Sequence, residues 1–153
     1  MNIRLATNND VQTICTLFTD FFAYNAVQQP EYYIAAREDG KYPSAVINSQ
    51  IGDIIVAEIG QRIVGFVHVE EDTTLPYPSI LSRKFACIVD FFVDEQHRKN
   101  GIGRLLLEEV KRWAQSRNLE YIELMVLENN DIGKNFYERE NFATVSRTMR
   151  FDV

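Results

Sequence analysis

The apolar positions change their period along the chain, and each change marks a predicted element. After a short first strand at "RLA", Val11, Ile14, Cys15, Phe18, Phe21 and Phe22 fall on one face at a spacing of 3.6. That stripe predicts a helix packed on something large and flat. Thr7 followed three residues later by Asp10 reads as its N-cap with an acidic partner. Pro30 is expected to open a second, shorter helix through "EYYIAARE", ended by Gly40, with residues 40 to 52 as loop and at most one further helical turn.

From Asp53 the period becomes two, or the apolar run becomes continuous. "DIIVAEI" and "RIVGFVHVEE" around Gly60 and Gln61 predict an antiparallel hairpin. "FACIVDFFV", apolar on both faces, predicts a strand inside the sheet. Ile102, Leu105, Leu106, Val110, Trp113 and Ala114 again follow a helical stripe. A strand at "YIELMVL", a short helix over Asp131 to Arg139 and terminal strand material at "FATVSRTMRF" complete the pattern. The expected class is α/β (α+β), a mixed, mostly antiparallel central sheet with helices on both faces.

Composition narrows this picture only where it excludes something. A chain of 153 residues with 46% apolar content suits one hydrophobic core, so one domain over residues 1–153 is expected. No apolar stretch approaches the ~20 residues of a membrane span, and "MNIRLATNND" lacks a secretory pattern, which makes a cytoplasmic protein without a membrane partner the expectation. Cys15 and Cys87 are too few for a disulfide scaffold or a cysteine-based zinc site and are expected as reduced, buried thiols. His68 and His97 have no suitably spaced second ligand, so no metal is expected. A net charge of −6 argues against a general nucleic-acid binder and is compatible with a cationic substrate. It equally suits a protein that is merely kept soluble.

One stretch carries more chemistry than the rest. "HRKNGIG" sets Gly101 and Gly103 among Arg98, Lys99, Asn100 and Arg104 at the mouth of a helix. A helix N-terminus leaves N–H groups unpaired and carries partial positive charge, so glycines there allow an anion close to the backbone. A nucleoside-triphosphate loop would need Lys and Ser or Thr after the second glycine, and Arg104 and Leu105 stand there. A dinucleotide fingerprint would need a third glycine where Leu106 stands. The residues alone leave two readings, a phosphate cradle or a glycine pair that eases a helix start.

"VDFFVDEQHRKNGIGRLLLEEVKRWA" resembles the acetyl-CoA motif of the GNAT superfamily of N-acetyltransferases, with Arg98, Gly101 and Gly103 in the motif positions. "ENNDIGKNFYERENF" is similar to the superfamily's downstream motif through Asn130, Phe136 and Tyr137. Gly133 stands where that family commonly has Ala, and Asn141 where a Gly usually precedes the residue at Phe142. The specific motifs lie between Asp90 and Phe142, while the order of strands and helices matches along the whole chain.

The resemblance implies the GNAT acyl-CoA N-acyltransferase fold and an enzyme that uses acetyl-CoA as co-substrate. It implies that backbone N–H groups of Arg98, Lys99, Asn100, Gly101, Ile102, Gly103 and Arg104 hold the pyrophosphate. The pantetheine arm would pair with backbone near Phe91 and Val93, the Val93 N–H polarising the thioester carbonyl, and Asn130 would bond the arm. Tyr137 is the candidate general acid for the departing thiolate, and otherwise a core aromatic beside Phe136. Asp90, the one charge inside its strand, is the candidate base, directly or through water, or else a structural carboxylate. Glu70, Glu71 and Asp72 would attract a cationic substrate or simply end a strand in solvent. Phe22, Tyr24, Tyr32, Tyr33 and Tyr77 are candidates to line the acceptor pocket.

The acceptor, a small-molecule amine or a protein amine, is left open, and a homodimer is compatible with the family. A catalytically idle acyl-CoA sensor on the same fold is the alternative. A toxin acetylating aminoacyl-tRNA fits the net charge less well.

Overall fold

The computed structural model describes every residue from Met1 to Val153. Its strands are β1 (Asn2–Leu5), β2 (Gly52–Ile59), β3 (Arg62–Thr73), β4 (Lys84–Val93) and β5 (Ile122–Leu124). Its helices are α1 (Val11–Gln28), α2 (Lys41–Ile47), α3 (Ile102–Ser116) and α4 (Asp131–Arg139). The strands form one sheet in the order β1-β2-β3-β4-β5, antiparallel throughout except for the parallel β4–β5 pair. The connection from β4 to β5 runs through α3, as a parallel pair requires.

Each face of the sheet has its own apolar layer. Ile14, Leu17 and Phe18 of α1 and Val46 of α2 pack on Ile54, Val56, Ile63, Phe66 and Phe92. On the other face Ile102, Leu106, Leu107, Val110 and Trp113 of α3 cover Ile55, Val64, Val67, Val69, Ala86 and Ile88. The two-residue period of β2 and β3 divides their side chains between the layers, and the apolar stripes of α1 and α3 close them. The expected hairpin turns at Gly60, where φ is +64°.

The start of α1 is pinned by charge. Asp10 Oδ2 accepts from the Thr7 N–H at 2.7 Å, while the Asp10 N–H donates back to the Thr7 carbonyl at 2.9 Å. Arg4 on β1 holds both Asp10 oxygens, at 2.8 and 2.9 Å. The Arg4 hydrogen bonds keep the Asp10 carboxyl well below its ordinary range. A depressed folded-state pKa contributes stability that is present above the unfolded value, about 4, and fades as pH falls below it. Asp10→Asn should therefore cost about 1 kcal/mol at neutral pH and flatten the acid limb of stability, read by urea unfolding across pH.

Four expectations are corrected. The segment "EYYIAARE" makes no helix: Tyr32 and Tyr33 N–H groups close a turn on the Gln29 carbonyl, and the chain then runs irregularly to Gly40. Ile34 and both tyrosines stay exposed, so no apolar stripe meets the sheet. The helix lies instead in the stretch expected as loop, where Pro43 and Val46 of α2 are buried. Residues 143 to 153 form no strand. They have no neighbouring strand, since β5 is the sheet edge and ends after three residues at Leu124. Cys87 is only half-buried, whereas Cys15 is buried as expected, and both are free thiols.

Candidate active site

The strand pair β4–β5 carries the site because it comes apart. Their pairing covers Ala86↔Ile122, Cys87↔Glu123 and Ile88↔Leu124, and β4 continues alone to Val93. On its other side β4 bulges against β3 between the pairs His68↔Asp90 and Val69↔Ile88, leaving Val89 without a partner. A bulge bends the strand and increases its twist, so β4 turns away from β5 just beyond Ile88. A cavity of about 210 Å³ opens there. Asp90 and Phe91 of β4, Leu124 to Leu127, Asn130 and Tyr137 line one part of it, and Phe21, Phe22, Asn25, Gln29 and Tyr33 the rest. A cavity of similar size beside Gln12, Thr16, Arg62 and Asp94 holds none of the expected site residues.

Beyond Val93 the chain makes a short helical turn, Glu95–His97, and enters α3 through Lys99 at φ +65° and Gly101 at φ +78°. Both values lie in the left-handed region, which Gly101 adopts without the steric cost a side chain would bring. The N–H groups from Lys99 to Arg104 meet no protein acceptor. Gly103 lies against Phe91 and Phe136, and an added Cβ would touch the Phe136 ring at 3.4 Å. The result is a run of free donors at a helix N-terminus, flanked by exposed Lys99 and by an Arg104 guanidinium that reaches only 4.0 Å from Glu140. This arrangement fits a pyrophosphate.

Arg98 takes a different part from the rest of its motif. Its Nε donates to the Val93 carbonyl at 2.9 Å, and its guanidinium sits 4.4 Å over the Tyr24 ring. The side chain thus ties the turn to the end of β4 instead of adding charge to the cradle. Asn100 Nδ2 approaches the His97 carbonyl at 3.3 Å, and Ile102 is buried in the core beneath α3.

Asn130 caps α4, its Oδ1 accepting from the Gly133 N–H at 3.0 Å, and it also lines the cavity. This cap explains Gly133, because a Cβ there would stand 2.7 Å from Asn130 Nδ2. Gly133→Ala, which ordinarily strengthens a helix, should here destabilise by about 1 kcal/mol by displacing the cap. A denaturation midpoint above that of the parent would contradict this. Asn141 adopts φ +67° at the end of α4, the left-handed conformation that Asn tolerates.

Tyr137 stands edge-on to Phe91, Phe136 and Phe142, with centroids 6.2, 5.1 and 5.6 Å away. Burial pushes its phenol above the ordinary value, so it keeps its proton at neutral pH. Of the five candidate pocket aromatics, Phe22 and Tyr33 line the cavity. Tyr24 lies under Arg98, Tyr32 lies 4.7 Å under the Arg150 guanidinium, and Tyr77 is exposed in the loop before β4. The acidic run disperses: Glu71 pairs with Lys84 at 3.0 Å, Asp72 accepts from the Thr73 N–H, and Glu70 turns to His68.

Sequence reasoning misses two groups. Gln29 at the end of α1 is 4% exposed, lines the cavity and has no hydrogen-bond partner for its Oε1. Tyr42 of α2 brings its hydroxyl 2.9 Å from Asp90 Oδ2 and 2.6 Å from Nδ1 of His68. A histidine inside the continuous apolar run of β3 is the one available signal for that cluster.

The model of the Acetyltransferase (GNAT) family matches residues 10–142. The chain belongs to that family. Among curated proteins it is 32% identical over 146 residues to N-alpha-acetyltransferase 60 of Xenopus tropicalis, covering 92% of this chain and 58% of that one. It thus spans little more than half the length of that relative. A Bacillus halodurans protein solved as a mutant superposes with a TM-score of 0.93 at 24% identity, over 100% of this chain and 99% of that chain. The structure of AAC(6')-Iy in complex with the bisubstrate analog CoA-S-monomethyl-acetylneamine superposes with a TM-score of 0.75 at 14% identity, over 99% and 97% of the two chains. The GNAT fold expected from the two motifs is the fold observed. No helix is long and apolar enough to cross a membrane.

Proposed function

We propose that this chain is an N-acetyltransferase that moves an acetyl group from acetyl-CoA to a primary amine, by direct attack in a ternary complex. The observation that carries this reading is the cavity at the β4–β5 divergence, to which Asp90 and Tyr137 both contribute. Backbone N–H groups from Lys99 to Arg104 would hold the pyrophosphate, and β4 backbone near Phe91 and Val93, together with Asn130, would hold the pantetheine arm. Acetyl-CoA supplies an electrophilic thioester and a thiolate leaving group.

The chain's own groups supply the proton transfers. Asp90 takes one proton from the acceptor ammonium, giving a neutral amine whose lone pair forms the new C–N bond. The Val93 N–H steadies the charge on the carbonyl oxygen. As the C–S bond breaks, the Tyr137 hydroxyl gives its proton to sulfur and recovers one from the nitrogen of the product. One proton is released per turnover. Gln29 Oε1 and Asn25 offer the acceptor polar contacts beside Asp90, within walls otherwise formed by Phe21, Phe22 and Tyr33.

A thermal-shift titration tests the donor half of this reading. A ligand that binds only the folded state at 100 times its dissociation constant adds about 2.7 kcal/mol, so acetyl-CoA should raise Tm by several degrees. No shift at saturation would overturn it.

A further inference from the structure

The cavity at the β4–β5 divergence holds little charge. Eleven of its fifteen lining residues are hydrophobic, and the other four are Asn25, Gln29, Asp90 and Asn130. Asp90 is therefore its one carboxylate, and no Lys, Arg or His stands beside it on the wall. The Tyr42 hydroxyl and His68 Nδ1 both approach Asp90 Oδ2, at 2.9 and 3.4 Å, which leaves Oδ1 to receive an ammonium. Charged groups on neighbouring elements are engaged elsewhere. Arg98 and Arg150 lie over the Tyr24 and Tyr32 rings, outside the lining. On β3, Glu70 bonds His68, Glu71 pairs with Lys84, and Asp72 accepts from the Thr73 N–H. No second carboxylate on the wall reinforces Asp90.

A charged group carried into such a place loses its water, and only an opposite charge with a full set of hydrogen bonds makes good the loss. The reacting ammonium of an acceptor meets Asp90. A second ammonium would bring three donors to walls whose other polar side chains are neutral. Gln29 Oε1, which has no hydrogen-bond partner within the protein, could accept one of the three. The rings of Phe21, Phe22 and Tyr33 offer a cation less than its burial costs. A carboxylate on the acceptor fares worse, since it would enter beside Asp90 with no cation on the wall to pair it. An apolar body, by contrast, is buried against these same rings at a gain.

We infer that the acceptor is a primary monoamine with an apolar body and no second charge, which sets aside polyamines, aminoglycosides and free amino acids. This rests on the reading of the cavity as an acetyl-transfer site. The net charge of −6 draws cations of every valence to the surface of the chain. Selection takes place one step later, at the wall, where a single carboxylate pairs a single ammonium and every further charge goes unpaired. Selectivity of this kind comes from the cost of desolvating the wrong acceptor as much as from attraction to the right one.

Two matched pairs of amines test this. Benzylamine and 1,4-bis(aminomethyl)benzene differ by a second ammonium on a rigid ring, and phenethylamine and phenylalanine differ by a carboxylate. For the charged member of each pair kcat/KM should be lower by about 10²-fold or more. Tyr33 lines the cavity and is 41% exposed, so a carboxylate can be added there without being buried. Tyr33→Glu should narrow the gap for the diamine by roughly fivefold and leave phenylalanine as poor as before. Turnover of the diamine or of phenylalanine within about threefold of its partner would overturn the inference, and so would a diamine ratio unmoved by Tyr33→Glu. If none of the four is acetylated, calorimetric binding of the same compounds decides the matter apart from the acetyl-transfer reading. Tighter binding of benzylamine and phenethylamine than of their charged partners would uphold the inference, and equal affinity within a pair, or no binding of either monoamine, would overturn it.

Discussion

Tyr137→Phe should lower kcat by about 10²–10⁴-fold while leaving acetyl-CoA affinity nearly unchanged. The substitution removes one oxygen from a ring packed edge-on against Phe91, Phe136 and Phe142, so the wall of the cavity keeps its shape. What it loses is a proton held by burial, the one the proposed mechanism delivers to sulfur. If Tyr137 were only a core aromatic, kcat would be unmoved, and steady-state kinetics paired with calorimetric binding of acetyl-CoA separates the two. Since the phenol must remain protonated, activity should also persist through mildly alkaline pH until the raised pKa is approached.

Asp90→Asn should lower kcat/KM for a strongly basic amine by a comparable 10²–10⁴-fold. The loss should shrink for an acceptor already neutral at the assay pH, such as a hydrazine, because no proton then has to leave before attack. Acetyl-CoA binding should survive, since the turn proposed to hold the pyrophosphate starts beyond Val93 and makes no use of this carboxylate. An equal loss for both kinds of acceptor would make Asp90 a structural residue and remove it as the base.

The parts of the molecule that depend on neighbours in sequence are legible in the chain's own pattern. The spans of α3 and α4 and the glycines ahead of α3 follow from local periodicity and helix-end chemistry and lie where expected, but within the α3 stripe Leu105 is exposed and Leu107 is buried in its place. Asp90 stands out because a carboxylate in an apolar strand has to be accounted for. The Tyr42–His68–Glu70 cluster does not, because it exists only through the β3–β4 register and the seating of α2 over the sheet. Gln29 is hidden for a related reason. Its burial depends on where α1 ends relative to the cavity.

The departures from expectation have the same origin. "EYYIAARE" and residues 143 to 153 carry local patterns of helix and strand, yet secondary structure of that length needs a packing partner to persist. Ile34 lies exposed beside a turn, and Val145, Met149 and Phe151 extend beyond the last strand of the sheet. The bulge on β4 is equally invisible to periodicity, and it is the feature that opens the site.

The central claim is that this cavity transfers an acetyl group to an amine, and the most direct measurement is thiol release from acetyl-CoA against a panel of primary amines. The panel should include polyamines, aminoglycosides, amino-acid derivatives and peptides with free α-amines, with mass spectrometry of the products. The account predicts amine-dependent release of coenzyme A and a product heavier by one acetyl group for at least one class. Tight binding of acetyl-CoA with no amine-dependent thiol from any of them would contradict it and leave a fold that holds the donor without using it.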